Sequence, residues 1–171
     1  MLKRSLSLLL VCFIAATAMA QSRKEANLKA VFIYNFTRYI EWDSTSPGVN
    51  DFLIGIIGPS SVTTALMEIA RTNRVGHKRI VIRRFDKPED ISTCHILFIP
   101  QNMPFSLASV LERTPKGVLT VGEANGFAKQ GTAFNFIISR DKLKFEANLK
   151  SLFVAGLKVS SQLLKLAVIV D

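Results

Sequence analysis

Phe52-Leu-Ile-Gly-Ile-Ile-Gly58 decides the fold of this chain. A strand with one wet face alternates apolar and polar residues. A run apolar throughout is covered on both faces, as in a parallel sheet flanked by helices. Gly58-Pro59-Ser60-Ser61 ends the run and opens a helical pattern to about Arg71, with Ala65, Leu66, Ile69 and Ala70 inward. Downstream the alternation of strand and helix signals continues. Arg79 to Phe85 reads as a strand through Ile80, Val81 and Ile82, and Cys94-His-Ile-Leu-Phe-Ile99 as a second buried one. A helix is expected over 105–113, a short strand at Val118-Leu-Thr-Val121, and a short helix from Ala124 to Lys129, ended by Gly131. Phe134, Phe136 and Ile138 then alternate, as do Leu143, Phe145 and Ala147 after the turn Ser139-Arg-Asp-Lys142, which is a hairpin pattern. Asn148 is placed to cap a last helix to about Ala167, with Leu149, Leu152, Phe153, Leu157, Leu163 and Leu164 at helical spacing. These elements imply an α/β three-layer sandwich: a mostly parallel sheet with an antiparallel hairpin at one edge, flanked by helices.

On the amino-terminal side lies Ala30-Val-Phe-Ile-Tyr-Asn-Phe-Thr-Arg-Tyr-Ile-Glu-Trp42, which holds both tyrosines and the one tryptophan. Leu28, Val31, Phe32, Phe36, Tyr39 and Ile40 recur at helical spacing, before Asp43-Ser-Thr-Ser-Pro-Gly48 breaks the pattern. Phe32, Phe36, Tyr39 and Ile40 are expected to pack on the sheet, sharing a face with the last helix. Tyr34 lies off that stripe and Trp42 ends it, so both are candidates for a contact surface.

Residues 1–20 read as a cleaved secretion signal. Lys3 and Arg4 precede an apolar stretch from Leu6 to Ala16, and Ala18-Met-Ala20 gives a small-x-small site before Gln21. The apolar stretch is short of the about 20 residues that span a bilayer. Residues 21–171 then form a single domain, exported to the periplasm. Loss of Lys3 and Arg4 lowers the formal charge from +9 to +7. Outside the cytoplasm that charge suits an anionic membrane surface or an acidic protein patch better than nucleic acid, or is simply a solvated basic face. Of the two cysteines, Cys12 leaves with the signal and Cys94 stays unpaired in an apolar run.

A catalytic set is hard to assemble. His77 sits in the turn Gly76-His-Lys-Arg79, and His95 adjoins Cys94 on a strand, where neighbours point to opposite faces. No metal or cofactor motif is present. The polar groups at strand ends remain. Ser60 and Ser61 could hold an anion or merely cap the next helix, and Glu123 could join a ligand site or favour a helix start. Glu146 stands where the hairpin feeds the last helix.

In order along the chain, the 30–42 helix, the Phe52–Gly58 and Cys94–Ile99 strands, Leu119-Thr-Val-Gly-Glu123, Phe145-Glu-Ala-Asn148 and Gly156-Leu-Lys-Val-Ser-Ser-Gln-Leu-Leu-Lys-Leu-Ala167 together resemble the YfiR family. The resemblance covers essentially all of residues 21–171. It implies a periplasmic, non-catalytic regulator that binds and represses the periplasmic portion of an inner-membrane diguanylate cyclase. Such a regulator restrains cyclic di-GMP and biofilm formation, and the family tends to dimerise. For such a regulator the contact surface is expected where the hairpin meets the last helix, at Glu146 with Leu152 and Phe134, the latter two being equally consistent with core packing; Tyr34 and Trp42 are further candidates. Relatives carry paired cysteines that tie repression to redox state. Here the corresponding hairpin positions are near Ala128 and Asn135, so no intrachain bridge is expected. A small-molecule sensor using Ser60, Ser61 and Glu123 is the alternative.

Overall fold

The structure is a computed structural model that describes residues 21–42 and 51–170. The proposed signal and the Asp43–Gly48 breaker lie outside the described residues. A helix, α1, occupies residues 21–36 of the described chain. It is followed by β1 (Ile40–Glu41), β2 (Asp51–Ile57), α2 (Val62–Thr72), β3 (Arg74–Val75), β4 (Lys78–Phe85), a 3-10 turn (Pro88–Asp90) and β5 (Ile96–Ile99). Then come α3 (Leu107–Arg113), β6 (Leu119–Gly122), β7 (Phe134–Ser139), β8 (Lys142–Asn148), α4 (Leu149–Ala155), β9 (Lys158–Val159), α5 (Ser161–Leu164) and β10 (Val168–Val170).

Eight strands form the main sheet in the order β10-β8-β7-β6-β5-β2-β4-β3. From β4 to β7 every neighbour is parallel. The β7/β8 hairpin is antiparallel, with Phe136 opposite Phe145, and β10 pairs outside it, parallel to β8. This is the expected mixed α/β sandwich, with one further strand beyond the hairpin.

The β2 run works as its composition implies. Phe52, Ile54 and Ile56 enter one core with Ala30, Ile33 and Phe36 of α1 and Val62 and Leu66 of α2. Ile57 enters a second core with Phe85, Leu97 and Ile99, covered by Leu107 and Val110 of α3. Gly55 is needed there. A Cβ on it would lie 2.6 Å from the Phe85 ring and 3.3 Å from Cys94 Sγ.

The aromatic block is mainly core. Phe36 is 1% exposed. Its ring lies 4.8 Å from Phe134, 5.1 Å from Phe145 and 6.1 Å from Phe136, which fixes α1 onto the hairpin. Ile33 is also fully buried, whereas Tyr39 is exposed, against expectation. The helix stops at 36, and Thr37, Arg38 and Tyr39 donate to carbonyls three residues back, so the helical period no longer places Tyr39 inward.

One expected helix is absent and another is cut short. Residues 124–131 form turns, with Gly126 and Gly131 at positive φ. The long last helix stops at Ala155, because Gly156 takes a left-handed φ of 73° and returns the chain. Lys158 and Val159 then pair antiparallel with Glu41 and Ile40 in a separate two-stranded sheet. Leu152 and Leu163 still reach the same core as α1, so the shared face stands without the continuous helix.

Candidate functional site

The chain leaves β2 through α2, on the first face, and goes outward to β4. It leaves β5 through α3, on the opposite face, and goes to β6 on the other side. The connections therefore diverge at the carboxyl ends of β2 and β5. Open α/β sheets leave a ligand crevice at such a switch point. A cavity of about 480 Å³ lies there. Ser61, Gln101, Asn102 and Glu123 line it from the strand ends, Glu25 and Lys29 from α1, and Phe136, Ile138 and Leu143 from the hairpin.

Lys29 is the centre of its polar floor. The residue is 9% exposed. Its Nζ lies 2.7 Å from Glu123 Oε2 and 2.6 Å from Glu25 Oε1. The backbone N–H of Gln101 donates to Glu123 Oε1 at 3.3 Å, which ties the β5 loop to the same carboxylate. Burial opposes the Lys29 ammonium, but the hydrogen bonds and charges of Glu123 and Glu25 outweigh it and raise its pKa above 10.5. Lys29 is thus held protonated and has no lone pair to serve as base or nucleophile. One ammonium between two carboxylates, beside amide and hydroxyl side chains and an apolar wall, is suited to holding a polar ligand.

The sequence-derived ligand residues divide here. Ser61 and Glu123 meet in the cavity, as part of one site. Ser60 does not line it, and its Oγ accepts from the N–H of Val62, which is the capping alternative. Lys29 was missed by sequence reasoning, although a signal existed. It falls among Ala26, Ala30 and Ile33 on the buried stripe of α1, where a lysine needs a buried partner.

The contact candidates also divide. Phe134 is 0% exposed and Leu152 4%, both inside the core, so neither side chain is presented to a partner. The period-2 and helical patterns that named them are core patterns. Glu146 is half-buried and accepts from Asn135 Nδ2 at 2.9 Å. Its cross-strand neighbour Val168 is 43% exposed on the outer strand. On α4, Phe153 is 85% exposed and Leu149 43%, against the expected inward stripe, and Val154 beside them is 60% exposed. Tyr34 and Trp42 are partly buried against the first core. The Tyr34 hydroxyl donates to the Arg74 carbonyl at 3.3 Å, and Trp42 Nε1 donates to the His95 carbonyl at 3.0 Å.

The two side chains considered for nucleophilic chemistry point apart. Cys94 lies in the second core, where burial pushes its thiol up to about 12. A disulfide to another chain through it would require local opening. His95 stacks on Phe52 at 4.3 Å, accepts the Leu53 N–H at Nδ1, and is pulled down to about 4 by burial, with the charge of Lys78 adding. His77 is exposed in the β3–β4 turn. The segment around Ala128 and Ala133 is fastened by polar contacts. Asn148 Nδ2 donates to the Ala128 carbonyl at 2.8 Å, and Thr120 Oγ1 accepts from the Ala133 N–H at 2.8 Å.

Among the described residues no helix is long and apolar enough to cross a membrane. The crystal structure of a conserved domain protein from Vibrio cholerae O1 biovar El Tor str. N16961 shares this fold, with a TM-score of 0.51 at 11% identity. The match covers 85% of this chain and 60% of that one. The YfiR/HmsC-like family model matches residues 26–168, from the buried face of α1 to the outer strand β10. All six sequence blocks that carry the resemblance fall within that match, and the chain belongs to the YfiR/HmsC-like family.

Proposed function

We propose that this chain is an exported regulatory protein that binds and represses the periplasmic portion of an inner-membrane diguanylate cyclase. Family membership over residues 26–168 carries this reading. The signal-like residues 1–20 support export, with residues 21–171 as the working domain. The family resemblance implies cyclic di-GMP control, restraint of biofilm formation, and a homodimer. Partner contact is assigned to Glu146, Val168 and the exposed apolar side of α4, above all Phe153. Phe153, an exposed aromatic on the helix that directly follows the strand carrying Glu146, is the kind of residue that anchors an interface.

Deleting the gene should raise cellular cyclic di-GMP, and the wild-type chain should restore it. Phe153→Asp and Glu146→Lys should fold normally yet fail to restore it or to retain the cyclase in membrane pull-downs. Unchanged cyclic di-GMP on deletion would refute the regulatory reading. Full complementation by both variants would remove this surface from it.

The switch-point cavity favours a second role on the same molecule, as the sensor of a small polar ligand that relieves repression. Its support is the convergence of Ser61, Glu123, Lys29 and Gln101 on one cavity. Screening periplasmic metabolites by thermal shift on wild type and Glu123→Gln would test it. A saturable shift lost in the variant is the expected result.

A further inference from the structure

A second cavity, of about 460 Å³, lies at the opposite end of the sheet, beside the amino ends of β6 and β7. Lys116, Lys129 and Lys150 reach it from three separate segments: the loop before β6, the turn before β7 and the start of α4. No carboxylate lines it. Among the described residues Lys29 is answered by Glu25 and Glu123, Arg71 by Glu68, Arg79 by Asp51 and Arg84 by Asp86, whereas Lys116, Lys129 and Lys150 form no salt bridge. Three like charges around one concavity repel each other and focus a positive potential into it. The floor is apolar, formed by Leu111, Val118 and Val154.

We propose that this cavity binds a phosphate ester whose body is apolar. A phosphate monoester brings about −1.5 to −2 charges and three acceptor oxygens, which matches converging ammonium donors better than one carboxylate does. The apolar floor takes the ester's organic part, and the volume is that of a small-molecule site. The site is separate from the switch-point cavity, and its edge at Val154 adjoins the apolar side of α4. Two sources offer this chemistry in an exported protein's surroundings: a soluble phosphate ester and the headgroup region of an anionic phospholipid.

The test uses the chain from Gln21 onward with phenyl phosphate as soluble probe, read by calorimetry, and vesicles of phosphatidylglycerol in phosphatidylcholine, read by co-sedimentation. Lys129→Gln/Lys150→Gln should weaken the bound form between about fivefold and thirtyfold, as expected for losing two solvent-facing charge contacts. The control Lys142→Gln/Lys144→Gln, on the hairpin, removes the same charge elsewhere and should leave affinity unchanged. Saturable phenyl phosphate binding with this pattern assigns the soluble source, and vesicle binding alone with this pattern assigns the lipid. Binding to neither, equal affinity in the Lys129/Lys150 variant, or equal loss in the control overturns the proposal. Val154→Ser, at a 60% exposed position, trims the apolar lining with no change of charge and should weaken phenyl phosphate binding while leaving inorganic phosphate binding unchanged; equal phenyl phosphate affinity would remove the apolar part of the proposal.

Discussion

Replacing Lys29 by methionine isolates what holds the switch-point cavity together. The side chains of Lys29 and Glu123 are 11% and 13% exposed, so the substitution leaves the Glu123 carboxylate buried with only the long Gln101 N–H to satisfy it. Breaking one side of a buried pair costs roughly 3–5 kcal/mol. Glu25 is 41% exposed and recovers hydration easily, so the lower end, about 3 kcal/mol, is expected here. For a domain of this length that corresponds to a melting temperature lower by about 6–12 °C. The companion Lys29→Met/Glu123→Leu removes both charges and should return to within about 1 kcal/mol of wild type, since a hydrophobic replacement of a buried pair is near neutral. Urea unfolding of the three proteins at pH 7.5 gives the numbers. The pH dependence adds a second check. Because the Lys29 pKa is raised above 10.5, its contribution is complete below the unfolded value and is lost as pH rises through the folded one. The gap between wild type and Lys29→Met should therefore narrow as pH rises on the alkaline side. A loss under about 1 kcal/mol, or a double variant no better than the single one, would refute the view that the pair is a buried, mutually dependent unit.

Phe36→Ala should cost about 3–5 kcal/mol in urea unfolding, because the ring contacts three buried hairpin phenylalanines and leaves a cavity between α1 and the sheet. Gly55→Ala should destabilise by about 1–3 kcal/mol, since Phe85, Leu97 and Cys94 all crowd the added carbon; wild-type stability would show that these side chains yield freely. His95 holds a folded pKa of about 4 against 6.5, so stability is full above 6.5 and falls as the unfolded chain takes up the proton. That predicts a loss of about 2 kcal/mol between pH 7.5 and pH 5 that is absent in His95→Asn.

The strands β2 and β4 to β8 were legible because each is a run bounded by breakers, whereas the short β1, β3, β9 and β10 carry no such run. In β2 and β5 the unbroken apolar composition announced cover on both faces, and alternate side chains do enter different cores. The last helix was not legible. Residues 149 to 167 keep a helical spacing, but a single left-handed glycine and a distant partner strand decide the path, and the partner cannot be inferred from spacing. At the site, Ser61 and Glu123 could be placed by the rule for strand ends. Lys29 could not be paired with Glu123 in advance, because 94 residues separate them and only the packing of α1 over the sheet brings them together. Phe134 and Leu152 carried the pattern of core residues and proved to be core, while the exposed Phe153 beside Leu152 has no local signature that separates it from them.

The small β1/β9 sheet has a consequence for how the chain is made. Its partners, Ile40–Glu41 and Lys158–Val159, enclose almost the whole of the main sheet in one loop, and β10, the outer strand, follows even later. A chain that emerges amino end first must therefore keep α1 and its aromatic face waiting until the last strands arrive. Contacts of such long sequence separation form slowly and leave apolar surface open in the interval. That interval is the point of greatest exposure to chaperones and proteases, and it closes only when the clasp between residues 40 and 159 is made.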